Sequence, residues 1–298
     1  MSRSFLVVAF VALVGLLLAP PALASGFPVA VSSAGGTVTV TEKPRRIVSL
    51  SPTATETLFA IGAGPQVIAV DDQSDYPRTA PRTKLSGFTP NVEAIAGYRP
   101  DLVVVAFDSK GLVAALRKLR IPVVLHEPAT SLQDAYRQMR ELGRLTGNGE
   151  RSDALVRRLK KRIAQIVGPA AKRAVGLTLY HELSPDFYSA TSSTFIGRVY
   201  RLFGLENIAD AADSSGAGFP QLSAEYIVAK SPDLIVLADT VCCAQTPATV
   251  RERPGWSGIA AVRTGSIVRI DDSIASRWGP RIVNFVRAVA IALKRLQP

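Results

Sequence analysis

Ser192 lies in the hydroxyl-rich run Ser-Ala-Thr-Ser-Ser-Thr-Phe, a setting for a nucleophile, yet no base is placed near it by spacing and no Gly-x-Ser-x-Gly elbow occurs. A hydroxyl-rich turn capping a helix that begins near Thr194 accounts for it better. His126 and His181 are the two histidines, each closing an apolar strand-like run, and neither has the partners a metal site or a Ser-His-Asp triad requires. Cys242 and Cys243 are adjacent, and no further cysteine or nearby histidine completes a metal or redox centre around them. They read as loop residues.

Two glutamates stand apart because their surroundings recur. NVEAIAGYRPDLVVVA (Asn91 to Ala106) returns as SAEYIVAKSPDLIVLA (Ser223 to Ala238), aligned without a gap. Each copy sets an N-cap residue, Asn91 or Ser223, two positions ahead of Glu93 or Glu225 in a helix's first turn. Two readings remain open at this level. The acids complement the helix dipole and Pro-Asp is ordinary punctuation, or they are two exposed anions, one per lobe, that fit a two-fold partner.

The elements positioning these residues alternate between strand and helix from about Arg45. Ile47 to Leu50, Val67 to Val70, Leu102 to Phe107 and Val123 to Leu125 are short apolar runs without alternation, as in strands covered on both faces. Helices are predicted between them, the first from Thr53 to Ile61 with Thr53 and Glu56 as a capping box. Leu155, Leu159, Ile163 and Ile166 then fall on one face of a long helix. Strands at 174–180, 234–237 and 267–270 and helices at 194–203, 223–230, 256–262 and 280–296 follow. The fold class is α/β: two lobes with mostly parallel sheets joined by a single long α-helix. The expected division is an N-terminal lobe over 45–145, a linker helix over 150–168 and a C-terminal lobe over 172–298.

Residues 1–24 read as a cleaved secretory signal, with Arg3 ahead of the apolar run Phe5 to Ala19 and small residues at Ala22 and Ala24. The expected location is therefore periplasmic or secreted. No cysteine near Ala24 offers a lipid acceptor. The formal charge of +11 is scattered apart from a cluster at Arg157 to Arg162, which reads as a solvated helix face, and no nucleic-acid partner is expected.

Five stretches together resemble the Fe/B12-type periplasmic substrate-binding proteins of ABC importers: RRIVSLSPTATETLFAIGAG, DYP at Asp75 to Pro77, NVEAIAGYRPDLVV, GFPQLSAEYIVAKSPDLIVL and GPRIVNF. The resemblance covers Arg45 to about Leu296 and is nearest to the cobalamin-binding members. It implies a monomer that captures a small metal chelate and docks on a permease dimer with its ATPase subunits, Glu93 and Glu225 meeting permease arginines. It implies no enzyme activity and no cofactor, the chelate being cargo. A secreted hydrolase is the rival from another class.

The resemblance also implies a ligand cleft between the lobes, with contacts from loops at strand ends. Thr53 lies in the first cleft loop, Tyr76, Phe88 and Phe219 are the aromatic walls, and Arg277 and Trp278 belong to the last cleft loop. Lobe core is the competing reading for each aromatic. Aromatics suit the flat, largely neutral face of a corrinoid, so cobalamin is the expected ligand. Ferric siderophores would call for several cleft arginines, where Arg277 is the clearest candidate. Haem would call for an iron ligand, for which Tyr76, Tyr188 and His181 are available.

Overall fold

The computed structural model describes residues 26–296, so the expected signal segment lies outside the described residues. An antiparallel hairpin comes first, β1 (Val29–Ser33) and β2 (Gly36–Val40). The first lobe runs β3 (Ile47–Leu50), α1 (Pro52–Ala60), β4 (Val67–Val70), α2 (Val92–Gly97), β5 (Leu102–Val105), α3 (Leu112–Lys118), β6 (Val123–Leu125) and α4 (Leu132–Leu145). After α5 (Gly149–Ala171) the second lobe runs β7 (Thr178–Glu182), α6 (Phe195–Arg201), β8 (Glu206–Asn207), α7 (Ala224–Lys230) and β9 (Leu234–Leu237). It closes with α8 (Pro247–Arg251), α9 (Ala260–Thr264), β10 (Ile267–Arg269), α10 (Asp272–Ser276) and α11 (Ile282–Leu296).

Each lobe holds a four-stranded parallel sheet, in the orders β4-β3-β5-β6 and β10-β9-β7-β8. Every residue of β3, β5 and β9 is buried, because these inner strands are covered on both faces. That is why their sequences are aliphatic runs, interrupted only by the buried Ser49 of β3.

The linker helix α5 is longer than the predicted 150–168, with Pro169 in its last turn. Its 23 residues span about 34 Å at 1.5 Å per residue. Leu155, Leu159 and Ile163 are buried against α4 and α11. Val104 of β5, Leu159 of α5 and Val236 of β9 belong to one apolar cluster, so the lobes share a core through this helix. Burial of each such side chain contributes up to about 1.5–3 kcal/mol.

Several local expectations are corrected. Ser51, not Thr53, caps α1: its Oγ accepts from Ala54 N at 3.3 Å, and Pro52, which has no N–H to satisfy, takes the first helical position. Strand β7 starts later than predicted because the chain turns through Gly176 at φ 74°. The expected helix at 256–262 is a single 3-10 turn, Trp256–Gly258, followed by α9.

The recurring segment has the same local structure in both lobes. Asn91 Oδ1 accepts from Ala94 N at 2.7 Å and Ser223 Oγ from Tyr226 N at 3.1 Å. Arg99 and Ser231, each just before the proline, take left-handed backbone at φ 49° and 42°. The aspartates do more than punctuate. Asp101 accepts from the backbone N–H of Arg45 (2.7 Å) and Arg46 (2.9 Å), pinning the chain that enters β3. Asp233 accepts from the N–H (2.9 Å) and hydroxyl (3.0 Å) of Thr178, pinning the start of β7.

Candidate functional site

Ligands of parallel α/β sheets bind beyond the carboxyl ends of the strands, and a cavity of about 300 Å³ lies there between the lobes. Leu50 to Thr53 line it from the end of β3, Asp71 and Gln73 from the end of β4, and Ala106 and Phe107 from the end of β5. Gly87 and Phe88 complete that side. A Cβ at Gly87 would come within 2.8 Å of Leu50 O, so only glycine lets this loop approach β3 closely enough to present Phe88. The other lobe contributes Asp272, Ser273, Ser276, Arg277 and Trp278. A larger hollow along α4 and α5 is lined by Asp134, Arg137, Arg140 and Asp153, which pair with one another.

Thr53, Phe88, Arg277 and Trp278 are thus brought together. Phe88 is 64% exposed, which excludes the core reading for it. Its ring stacks on Phe107 at 5.7 Å between centroids, and Phe107 is a wall residue the sequence reasoning missed. Its signal was an aromatic directly beyond an aliphatic strand, at the sheet edge where ligands bind.

Tyr76 and Phe219 are exposed as well, yet neither lines this cavity. Tyr76 faces a separate groove, its ring covered by the Arg281 guanidinium at 4.5 Å. Phe219 lies beside the segment after β7, where Gly218 O and Pro220 O accept from Thr191 N and Ser189 N.

Arg277 is not free to receive an anion. Its guanidinium donates to Glu56 Oε1 (3.0 Å), Asp75 Oδ1 (2.7 Å) and Gln73 O (3.0 Å), all from the other lobe. Arg281 holds the same Glu56 carboxylate at 2.9 and 2.6 Å. Burial would push Asp75 up, but the Arg277 hydrogen bond and charge outweigh it and hold that carboxyl below its ordinary range. Trp278 is a partly buried wall, its indole N–H donating to Gln138 Oε1 at 2.8 Å and its ring packed edge-on against Phe195.

Two further carboxylates belong to the cleft. Asp272 accepts from the backbone N–H of Thr240 (2.8 Å), Val241 (3.0 Å) and Cys242 (2.8 Å). It therefore ties the loop carrying the mutually bonded Cys242 and Cys243 to the cavity. Asp71 is 2% exposed, and burial, reinforced by the Asp72 charge, raises it to about 6.

The histidines lie elsewhere. His181 is fully buried, its Nδ1 paired with Tyr200 Oη at 2.7 Å, and burial lowers it to about 3. A core imidazole of this kind is not placed to ligate a haem iron, which removes that candidate. His126 is buried against Glu141 at 2.9 Å. Tyr188 stays exposed. Thr194 caps α6 as expected, accepting from Gly197 N at 3.1 Å.

Glu93 and Glu225 are both exposed, each in the first turn of its helix, α2 and α7. Backbone and Ser223 hydrogen bonds hold the Glu225 carboxyl below its ordinary range.

Known proteins resemble this chain in sequence and in fold. An ABC transporter substrate-binding lipoprotein of Bacillus subtilis, YvrC, is 30% identical over 274 residues, covering 89% of this chain and 85% of its own. A cobalamin-binding protein of Halobacterium salinarum is 32% identical over 279 residues, covering 90% of this chain and 75% of its own. The solved periplasmic heme-binding protein RhuT of Roseiflexus superposes with a TM-score of 0.72 at 23% identity, over 85% of this chain and all of that one. The model of the periplasmic binding protein family matches residues 47–274, a span holding both sheets and most of the cleft, and the chain belongs to that family.

Proposed function

We propose that this protein is the extracytoplasmic substrate-binding component of an ABC importer, acting as a monomer, and that its cargo is a metal chelate, cobalamin in particular. The observation carrying the ligand reading is the stacked, exposed pair Phe88 and Phe107 beside a cleft whose arginine is already neutralised. Such a surface favours a flat, largely neutral face through area burial at about 25 cal/mol per Å². An anionic ferric siderophore would find Arg277 occupied. Haem would have to use Tyr188 or Tyr76 as its iron ligand, with His181 buried. The relative from Halobacterium supports cobalamin, and the relative from Bacillus supports the transporter role. A cavity of about 300 Å³ is at the low end for small-molecule sites, so a large chelate would rest partly outside, against the exposed aromatics.

Docking would use Glu93 and Glu225, one anion from each lobe for each half of a two-fold permease. Hydrolysis has little support, since the turn around Ser192 serves to cap α6 and His181 lies in the core. The test is titration of the purified protein with cyanocobalamin, haemin and ferric siderophores by fluorescence and calorimetry. Saturable binding of cyanocobalamin is expected. No binding of any chelate, with turnover of an ester or glycoside, would overturn the proposal.

A further inference from the structure

Asp71 follows β4 directly, and its main chain is fully used: its N–H donates to Ser49 O at 3.1 Å and its carbonyl accepts from Ser74 N at 3.3 Å. Its carboxyl is not. Oδ1 is buried without a hydrogen-bond partner among the described residues, at the wall of the cavity. Oδ2 lies where a Cβ at Gly87 would come within 3.0 Å, so glycine there keeps a side chain from crowding the carboxyl, which is itself buried. Ser74 lies close enough for its hydroxyl, shared with Thr55 at 2.9 Å, and its N–H to pull the carboxyl down against burial, so the unmet capacity is that of Oδ1.

The other charged groups around it are committed. Arg277 faces Asp71 from the second lobe but is spent on Glu56, Asp75 and Gln73 O. Asp272 is taken up by three backbone N–H groups, and Asp72 adds a second negative charge beside Asp71. A buried acceptor without a donor discriminates strongly, because the right ligand supplies the missing hydrogen bond and the wrong one leaves it unmade or adds repulsion.

We propose that Asp71 is the cleft's acceptor for a ligand N–H or O–H, so that the site selects chelates edged with neutral donors such as amides over chelates edged with carboxylates. This rests on the reading that the cleft holds a chelate, and it adds what the chelate's periphery must carry. The protonation state of Asp71 makes the idea measurable, since burial holds it at about 6 in the free protein. A donor stabilises the carboxylate, so binding near that pH expels a proton and affinity rises with pH. A ligand carboxylate would instead draw a proton in.

The experiment is calorimetry on the intact protein at pH about 6, in two buffers of different ionisation heat, with cyanocobalamin and with haemin as probes, for wild type and Asp71→Asn. Cyanocobalamin should bind with proton release and with affinity rising several-fold from pH about 5 to about 7. Asp71→Asn should abolish both effects and weaken binding about tenfold. Absent proton exchange, proton uptake, or a release that survives in Asp71→Asn overturns the assignment, and the wild-type measurement stands even if the variant folds poorly. Binding of haemin without cyanocobalamin overturns the preference for neutral donors and cobalamin as cargo, while the chelate reading of the cleft stands. If neither probe binds at any pH, the functional reading falls and this inference with it.

Discussion

The guanidinium of Arg277 meets the carboxylate of Glu56 at 3.0 Å across the gap between the lobes, and Arg281 holds the same carboxylate at 2.6 Å. The Glu56 side chain is 1% exposed, so its removal would strip Arg281 of its carboxylate partner and leave Arg277 with Asp75 and Gln73 O. Glu56→Ala should cost about 3–5 kcal/mol of stability, read by urea unfolding. It should also leave Arg277 less fully neutralised at the cavity wall, strengthening binding of carboxylate-bearing chelates such as haemin. Unchanged unfolding would show that solvent reaches this cluster.

Phe107 and Phe219 are exposed aromatics whose removal opens no core cavity. Phe107→Ala should weaken chelate binding about ten- to a hundredfold, equivalent to about 1–3 kcal/mol, with melting nearly unchanged. Phe219 is outside the cavity itself, so Phe219→Ala should have the same sign and a smaller size. A collapse in melting temperature with normal affinity in the folded fraction would make either residue structural.

Within the recurring segment, the aspartates and glutamates should separate cleanly. Asp101→Ala and Asp233→Ala each free strand-entry N–H groups and should destabilise the fold by about 1–3 kcal/mol without altering ligand affinity.

The glutamates should behave in the opposite way. Glu93→Lys with Glu225→Lys should leave melting and ligand affinity near wild type and abolish uptake by a reconstituted transporter. Normal uptake by that double variant would remove the docking role.

Asp239 is fully buried, and that burial, with the neighbouring Glu182, pushes its carboxyl well above the ordinary range. The folded state then holds a proton that the unfolded chain has released, so this group stabilises in acid and its contribution is lost as pH rises through the raised value. Asp239→Asn should flatten the pH dependence of thermal melting and raise stability above neutrality. A profile unchanged by the substitution would place the dependence on other groups.

Much of the architecture was legible because it is local. Strands β5 and β9 announce themselves as continuous aliphatic runs, and Leu155, Leu159 and Ile163 repeat at helical spacing. The hairpin β1–β2 carries a weaker signal, since only Val31, Val38 and Val40 are buried. The chemistry of the cleft was less legible. Arg277 and Glu56 are 221 residues apart, and no local pattern says that one neutralises the other. A free arginine and a spent one look alike in a sequence. The same limit hid Asp71, whose significance is an unpartnered oxygen, and Phe107, which reads as the tail of its strand.

The helices α2 and α7 run back along strands β5 and β9, so their first turns stand at the edge where those strands end. That edge carries Phe88 and Phe107 in one lobe, and in the other the loop that hangs on Asp272. Glu93 and Glu225 therefore occupy the rim of the opening, not the back of the molecule. A partner seated on both acids would roof the entrance, leaving a held chelate a single way out, through the partner. The measurable sign is residence time: escape of the chelate into bulk water should be slower from the docked complex than from the free protein, so that arrival at the membrane seals the cargo before it is handed over.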